Sequence, residues 1–366
     1  MKIVLVAGAR PNFMKIAPVH RALKEAGHRL VLVHTGQHYD AAMSQLFFDQ
    51  LGIPHPDENL EVGSGSHAVQ TAEIMRRFEP LLLSHAPDLV MVVGDVNSTA
   101  ACAMVAKKLP RIGVAHVEAG LRSFDRTMPE EINRLVTDAL SDLLYTSERA
   151  GDVNLRAEGI PPERIVFAGN VMIDTLRTHL PGAQSTGAVT RHGLTARQYG
   201  LVTLHRPANV DDPQVFRPLM DLLGQVSVSM PILFPVHPRT RPAIDAWGAE
   251  RGGLPVGLKI VAPLGYLEFL HLMSEARLVL TDSGGVQEET TVLGVPCLTM
   301  RENTERPVTV TEGTNTLVGR DPARIRIEID AVLDGRAKVG RVPEGWDGNA
   351  AARIAEHLSR WDRVLR

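Results

Sequence analysis

"LVLTDSGGVQEETTVLGVPCLTM", residues 278–300, holds a complete structural unit. Leu278–Thr281 is a short apolar run, Asp282–Gly285 a turn with two glycines, Val286 the start of a helix-length segment, and Cys297–Met300 a second apolar run. Both runs are continuous rather than alternating, as in strands covered on both faces of a parallel sheet. The turn is also the sharpest chemical signal. Ser283, Gly284 and Gly285 are small enough to let phosphate oxygens reach the free N–H groups of a helix start. Glu289 follows one turn later, where a carboxylate can accept two bonds from ribose hydroxyls. A glycine turn kept for packing is the rival explanation. Against it, the acids Glu288 and Glu289 sit oddly beside a diphosphate unless one of them holds a sugar.

The same theme recurs on both sides of this stretch. Apolar runs at Ile3–Ala7, Leu30–His34, Leu89–Val93, Gly113–Val117, Leu143–Thr146 and Ile165–Ala168 alternate with helix-length segments. A second set follows at Leu201–Leu204, Ile232–Val236, Lys259–Val261, Leu278–Thr281, Cys297–Met300 and Thr316–Gly319. Two such sets predict an α/β fold of two doubly wound parallel-sheet domains. The length of 366 residues agrees, at about 150 residues per domain. We expect a first domain over 1–170 and a second over 171–349, with the polar, glycine-containing stretch 179–193 near their junction. The last segment, 350–366, reads as an amphipathic helix with Ala352, Ile354, Ala355, Leu358, Trp361 and Leu365 on its apolar stripe.

Composition narrows the function classes. Apolar residues make up 44%, charged residues 22%, and the net charge is −3. No basic excess exists to attract a nucleic acid, and no apolar run approaches the ~20 residues of a membrane span. The chain begins directly with a strand-like run, so the cytoplasm is the expected compartment. Cys102 and Cys297 each lie in apolar surroundings and are expected to be buried thiols rather than a disulfide or metal pair.

Ligands of open parallel sheets bind beyond the carboxyl ends of the strands, so the residues after each run are the candidates. "GARPNFMKIAP" (8–18) places Arg10 and Lys15 at a turn and a first helical turn, suiting a phosphorylated ligand. It is neither a Walker motif nor G-x-G-x-x-G, which disfavours a nucleoside triphosphate or a nicotinamide. "GDVNST" (94–99) supplies Asp95, alternatively a turn residue. "HVEAGLRSFDRTMPEEINR" (116–134) puts His116 and Glu118 at a strand end, then opens a helix at Pro129 with Glu130 and Glu131 in its first turn. Glu130 and Arg134 are i,i+4 partners, so a structural ion pair competes with a catalytic role. Arg122, Arg126 and Arg134 read as scaffold. In the second half His205 and Arg206 end one strand, His237 ends another, and Arg306 follows a third.

These strings, with "GQHYD", "TLHRPANVDD", "FPVHP" and "TERP", resemble in order the non-hydrolysing UDP-N-acetylglucosamine 2-epimerases, over about residues 1–320. The resemblance implies a GT-B-like fold of two Rossmann-like domains with the active site in the cleft between them. The last helix would pack back onto the first domain. It also implies a cytoplasmic homodimer, needing no metal or redox cofactor, that binds UDP-N-acetylglucosamine (UDP-GlcNAc) and UDP. Asp95, Glu118, Glu130 and His205 match its catalytic positions. Ser283, Gly284 and Gly285 match the diphosphate site, Glu289 the ribose site and Phe269 the neighbourhood of uracil. Arg10, Lys15, Glu131, His237 and Arg306 match further substrate contacts. Bacterial members are activated by a second UDP-GlcNAc, for which Gln45, Gln70 and Arg206 are the candidates here. Two features depart from the pattern: Ala208 stands where members commonly carry Glu, and "GQHYDAAM" carries an insertion. A Gln near uracil in some relatives corresponds to Leu264 or Gly265, so backbone groups are expected to hold the base.

The implied chemistry explains the inventory. The proton on sugar C2 is not acidic, because no carbonyl is attached to that carbon. Elimination of UDP from C1 as the C2 proton leaves gives 2-acetamidoglucal, and re-addition with protonation from the opposite face inverts C2. This needs a carboxylate base, a proton donor and support for the leaving diphosphate. The competing readings are a C2 epimerase of UDP-2,3-diacetamido glucuronic acid, a GT-B glycosyltransferase, a hydrolysing epimerase and a non-catalytic nucleotide-sugar sensor.

Overall fold

The structure, a computed structural model, describes residues 1–8, 10–36, 48–236, 238 and 240–361, with Arg10 and Pro11 described by backbone alone. β1 (Lys2–Ala7), β2 (Arg29–His34), β3 (Glu58–Asn59), β4 (Leu89–Val93), β5 (Gly113–Ala119), β6 (Leu143–Thr146) and β7 (Ile165–Phe167) form one sheet, ordered β3-β2-β1-β4-β5-β6-β7. β8 (Gly200–Thr203), β9 (Ile232–Pro235), β10 (Leu258–Val261), β11 (Leu278–Thr281), β12 (Cys297–Thr299) and β13 (Asn315–Leu317) form another, ordered β10-β9-β8-β11-β12-β13. Every strand pairing is parallel. The central strands β1, β4 and β11 are apolar and almost fully buried because helices cover both faces. This is the two-domain Rossmann-like architecture expected of a GT-B-like protein. All twelve expected strands are present. β3 is additional: it has two polar residues and no apolar run to announce it.

In each sheet the strand order reverses at one place, between β1 and β4 and between β8 and β11. A crevice opens at such a switch point, beyond the carboxyl ends of the strands. In the first sheet that edge carries Gly94, Asp95 and Glu118, and in the second His205 and Asp282.

Two compact units divide the chain: Met1–Thr178 with Glu344–Arg366, and His179–Pro343. The boundaries differ from the expected 170/171 and 349/350. The first falls within helix Val171–Gln184, whose opening residues 171–176 are all buried. Asp174 on this helix accepts from the backbone N–H groups of Ala350 and Ala351, at 3.1 and 2.7 Å, and so caps helix Ala350–Arg360. Trp346 is fully buried and donates to the Ser147 carbonyl at 2.9 Å, which draws the segment from 344 onward into the first unit. The expected interruption at 179–193 is largely helical, as the end of Val171–Gln184 and as Ala188–Arg191. Helix Ala350–Arg360 lies against helix Arg10–Glu25 and buries Ala350, Ala351, Ile354, Ala355 and Leu358. Ala352 faces solvent instead, and Leu365 lies outside the described residues. Cys102 and Cys297 are buried free thiols. No described helix is long and apolar enough to cross a membrane.

Candidate active site

The first unit gathers its chemistry around β5. The register of β5 against β6 skips one residue between Val117 and Ala119, so Glu118 sits in a bulge. Its φ of 75° is left-handed, unusual for a residue with a side chain. Bulges re-aim side chains, and such strain concentrates at functional sites. The buried Glu118 carboxylate forms an ion pair with Lys15, one of the cations of helix Arg10–Glu25. Asn12, on the same helix, donates to the Val93 carbonyl at 2.7 Å and ties the helix to the end of β4. Gly94 lets these groups meet: at φ 71°, a Cβ there would lie 3.1 Å from Asn12 Nδ2 and 3.2 Å from Lys15 Nζ.

Asp95 follows Gly94 and pairs with Arg134 Nη1 at 2.5 Å. Arg134 is buried in helix Pro129–Leu140 and pairs through Nη2 with Glu131 at 2.7 Å. The rival reading of a Glu130–Arg134 ion pair is not met among the described residues. Glu131 points inward and also accepts from Ser123 N and Oγ (both 2.9 Å) and Phe124 N (3.1 Å). Burial opposes its ionisation, but the Arg134 and Ser123 bonds outweigh that and hold its carboxyl below the ordinary value. This clamp fixes the loop between Glu118 and the helix. Glu130 is half-buried and makes no hydrogen bond or ion pair among the described residues. The two adjacent acids thus differ: Glu131 holds the loop, and Glu130 stays available. Gln70 belongs to the same polar cluster, since it accepts from Asn97 Nδ2 at 2.8 Å, while Asn133 bonds both Asn97 and the Asp95 carbonyl.

Beneath these residues lies a buried network that the motifs did not disclose. Asp138 accepts from His116 (2.6 Å), Arg122 (2.7 Å) and the Gly120 N–H (3.1 Å), and His116 also contacts the Gly94 carbonyl at 2.8 Å. Burial works against the Asp138 charge, but His116 and Arg122 hold its carboxyl below the ordinary value. Asp138 thereby pins the ends of β4 and β5, which carry Asp95 and Glu118. Arg122 and Arg134 are buried scaffold, and Arg126 is exposed.

In the second unit the helix after β11 runs Gly284–Leu293, opening two residues earlier than expected. Ser283 is its N-cap in extended conformation and makes no side-chain cap bond, so the first-turn amides are free of that competitor for an anion. Arg306, buried, lies against Gly284: a Cβ there would come within 2.6 Å of Arg306 Nη1. Glu288 pairs with Arg306 Nε at 2.9 Å, and Glu305 is held by Arg301 through two bonds of 2.8 Å. Gln287, absent from the expected set, braces the turn from Nε2 to the Ser283 carbonyl at 3.2 Å. Glu289 is buried and accepts from Tyr266 Oη at 2.9 Å. Burial is the main reason its carboxyl is pushed up to about 8; the Tyr266 bond opposes this and Glu288 adds to it. Phe269 is half-buried on helix Tyr266–Ser274. His205 follows β8 and is half-exposed, and Arg206 Nε donates to the Asp282 carbonyl at 3.1 Å. Gln45, His237, the inserted "GQHYDAAM" beyond Gly36 and the Arg10 side chain lie outside the described residues. Among the described residues, no three His, Cys, Asp or Glu side chains group as a metal site.

Comparisons with known proteins identify the family. A family model described as UDP-N-acetylglucosamine 2-epimerase matches residues 21–359. A UDP-N-acetylglucosamine 2-epimerase homolog of Methanococcus maripaludis is 42% identical, over 98% of this chain and 99% of its own. The UDP-2,3-diacetamido-2,3-dideoxy-D-glucuronate 2-epimerase of Pseudomonas aeruginosa is 41% identical, over 98% of this chain and 100% of its own. A crystal structure of the Methanocaldococcus jannaschii UDP-GlcNAc 2-epimerase, in complex with UDP-GlcNAc and UDP, superposes with a TM-score of 0.90 at 39% identity, covering 99% of this chain and 100% of that one. The chain belongs to the UDP-N-acetylglucosamine 2-epimerase family.

Proposed function

We propose that the protein interconverts UDP-GlcNAc and UDP-N-acetylmannosamine without hydrolysis, by elimination of UDP to 2-acetamidoglucal and re-addition. One observation carries the reading: acid–base groups collect at the switch point of the first sheet, and a glycine-rich helix start with a buried arginine lies at that of the second. In this reading Glu118, Asp95 and Glu130 handle the C2 proton on the two sugar faces, with Lys15 and Arg10 supporting charge. His205 assists the leaving diphosphate, which Ser283, Gly284, Gly285 and Arg306 hold. Glu289 takes the ribose, Phe269 lies near uracil, and His237 is a further substrate contact. Glu131 acts on substrate through the loop it clamps. The reading includes a cytoplasmic homodimer without metal or redox cofactor, with Gln45, Gln70 and Arg206 as the allosteric candidates and polysaccharide assembly as the destination of its product.

The test is an NMR time course of UDP-GlcNAc in deuterated water. Deuterium at C2 with growth of UDP-N-acetylmannosamine supports the reading. Recovery of undeuterated substrate removes it, and free N-acetylmannosamine released with UDP replaces it by hydrolysis. A second substrate, UDP-2,3-diacetamido-2,3-dideoxy-D-glucuronate, is favoured by the 41% identity to an epimerase of that name, essentially equal to that of the UDP-GlcNAc relative. Assaying both substrates side by side decides between them.

A further inference from the structure

Asp282 and His205 stand at the ends of β11 and β8, the neighbouring strands on either side of the second switch point. The Asp282 side chain is fully buried, whereas that of His205 is 54% exposed. Asp282 accepts from His205 N at 3.1 Å, Arg206 N at 2.9 Å and Asn209 Nδ2 at 3.0 Å, and His205 Nδ1 lies 2.8 Å from its carboxylate. Burial opposes its charge, but the His205 bond and the others prevail and hold the carboxyl below its ordinary value. An ionised carboxylate only accepts hydrogen bonds. A ring nitrogen 2.8 Å from such a carboxylate is best matched to it by carrying the hydrogen, which places it on Nδ1 of His205. Nε2 makes no hydrogen bond among the described residues. Among the described residues, Arg206 donates to the Asp282 carbonyl, and Glu305, itself paired with Arg301 and Arg306, lies 3.9 Å from Arg206.

We infer that Asp282 is a positioning residue: it fixes His205 with its hydrogen on Nδ1, so that Nε2 performs the acid–base step next to the diphosphate turn. The inference rests on the reading of His205 as a working residue of the epimerase. Asp282 directly precedes Ser283, Gly284 and Gly285, so the ring it positions stands beside that turn. In the elimination, the electron pair of the C1–O bond moves to the diphosphate oxygen and the Nε2 proton of the imidazolium passes to it. A carboxylate meanwhile takes the C2 proton as the C1–C2 double bond forms. Re-addition returns the proton to Nε2. Orientation of this kind keeps the ring in one tautomer through both half-reactions.

Long-range proton–nitrogen correlation spectra of the full-length protein labelled with 15N-histidine test the geometry independently of activity. The neutral His205 ring is expected to carry its hydrogen on Nδ1; a hydrogen on Nε2 overturns the inference. This measurement uses the native protein and stands even where a variant fails to fold. D282N is expected to lower kcat by about 10²–10⁴-fold, to change the UDP dissociation constant less than about threefold, and to shift the limb of the pH–kcat profile that disappears in H205N. In an H205N background, D282N is expected to cost no more than about twofold further, because the interaction it removes is already gone. An undiminished cost there, or an unmoved pH profile, assigns Asp282 to the fold alone and overturns the inference. Wild-type turnover by H205N, with deuterium exchange intact, removes the role of His205 and leaves the epimerase reading standing. Absence of exchange in the wild type removes the epimerase reading, while the tautomer measurement still reports on the pair.

Discussion

Lys15 and Glu118, separated by 103 residues in the chain, form a buried ion pair at the edge where β1, β4 and β5 end. The pair exists because Glu118 occupies a bulge with a left-handed backbone. A regular β5 would send the side chain at this position elsewhere. A strained, buried acid paired with a lysine is expensive to maintain for stability alone, and its position accords with the proposed role in proton transfer.

Glu118→Gln is expected to lower turnover by about 10²–10⁴-fold, the usual worth of a general base, with UDP affinity nearly unchanged. Deuterium incorporation and UDP titration measure the two quantities. Full turnover would mark the bulge as structural.

Glu130→Gln and Glu131→Gln should separate cleanly. Glu131→Gln leaves the buried Arg134 with a weakened partner, and breaking a buried pair costs about 3–5 kcal/mol, an upper limit here because Gln keeps one acceptor. Glu130→Gln is expected to leave the urea midpoint unchanged and to remove most turnover. The reverse pattern would exchange their roles.

Gly284→Ala places a Cβ 2.6 Å from Arg306 Nη1. The guanidinium must move, although alanine favours the helix itself by about 1 kcal/mol. We expect UDP affinity to fall at least about tenfold with thermal stability retained, read by calorimetric titration and a melting curve.

Glu289, pushed up to about 8, gives a signed pH dependence. The folded protein keeps a proton that the unfolded chain releases above the ordinary carboxyl value of 4.5. The stability linked to that proton is complete below 4.5 and is lost as pH rises through about 8. Glu289→Gln should remove this slope from denaturation curves measured across that window. Ribose hydroxyls bond best to the ionised form, so UDP affinity should strengthen as pH climbs toward about 8, with proton release on binding. Titrations in buffers of different ionisation enthalpy test the release.

Asp174→Ala removes the acceptor of the Ala350 and Ala351 amides. Loss of a helix cap costs about 1–2 kcal/mol, and the helix Ala350–Arg360 should become the first site of proteolytic cleavage. Equal resistance of variant and wild type would show that Ile354 and Leu358 hold the helix unaided.

The sequence by itself determined every described strand but β3, the parallel two-domain plan and the glycine turn at 283–285. Each leaves a local trace: a continuous apolar run records burial on both faces, and small residues before a helix record a tight turn. It also singled out the acids of the 116–134 stretch. Tertiary structure alone decided which acid does what. Glu130 and Glu131 are adjacent and chemically alike, and only the packing of Ser123, Phe124 and Arg134 turns one inward and leaves the other available. The bulge at Glu118, the Asp138 network and the Asp282–His205 pair were likewise hidden. Their partners lie 18 to 103 residues apart, and hydrogen bonds over such separations leave no periodic mark in the residues between.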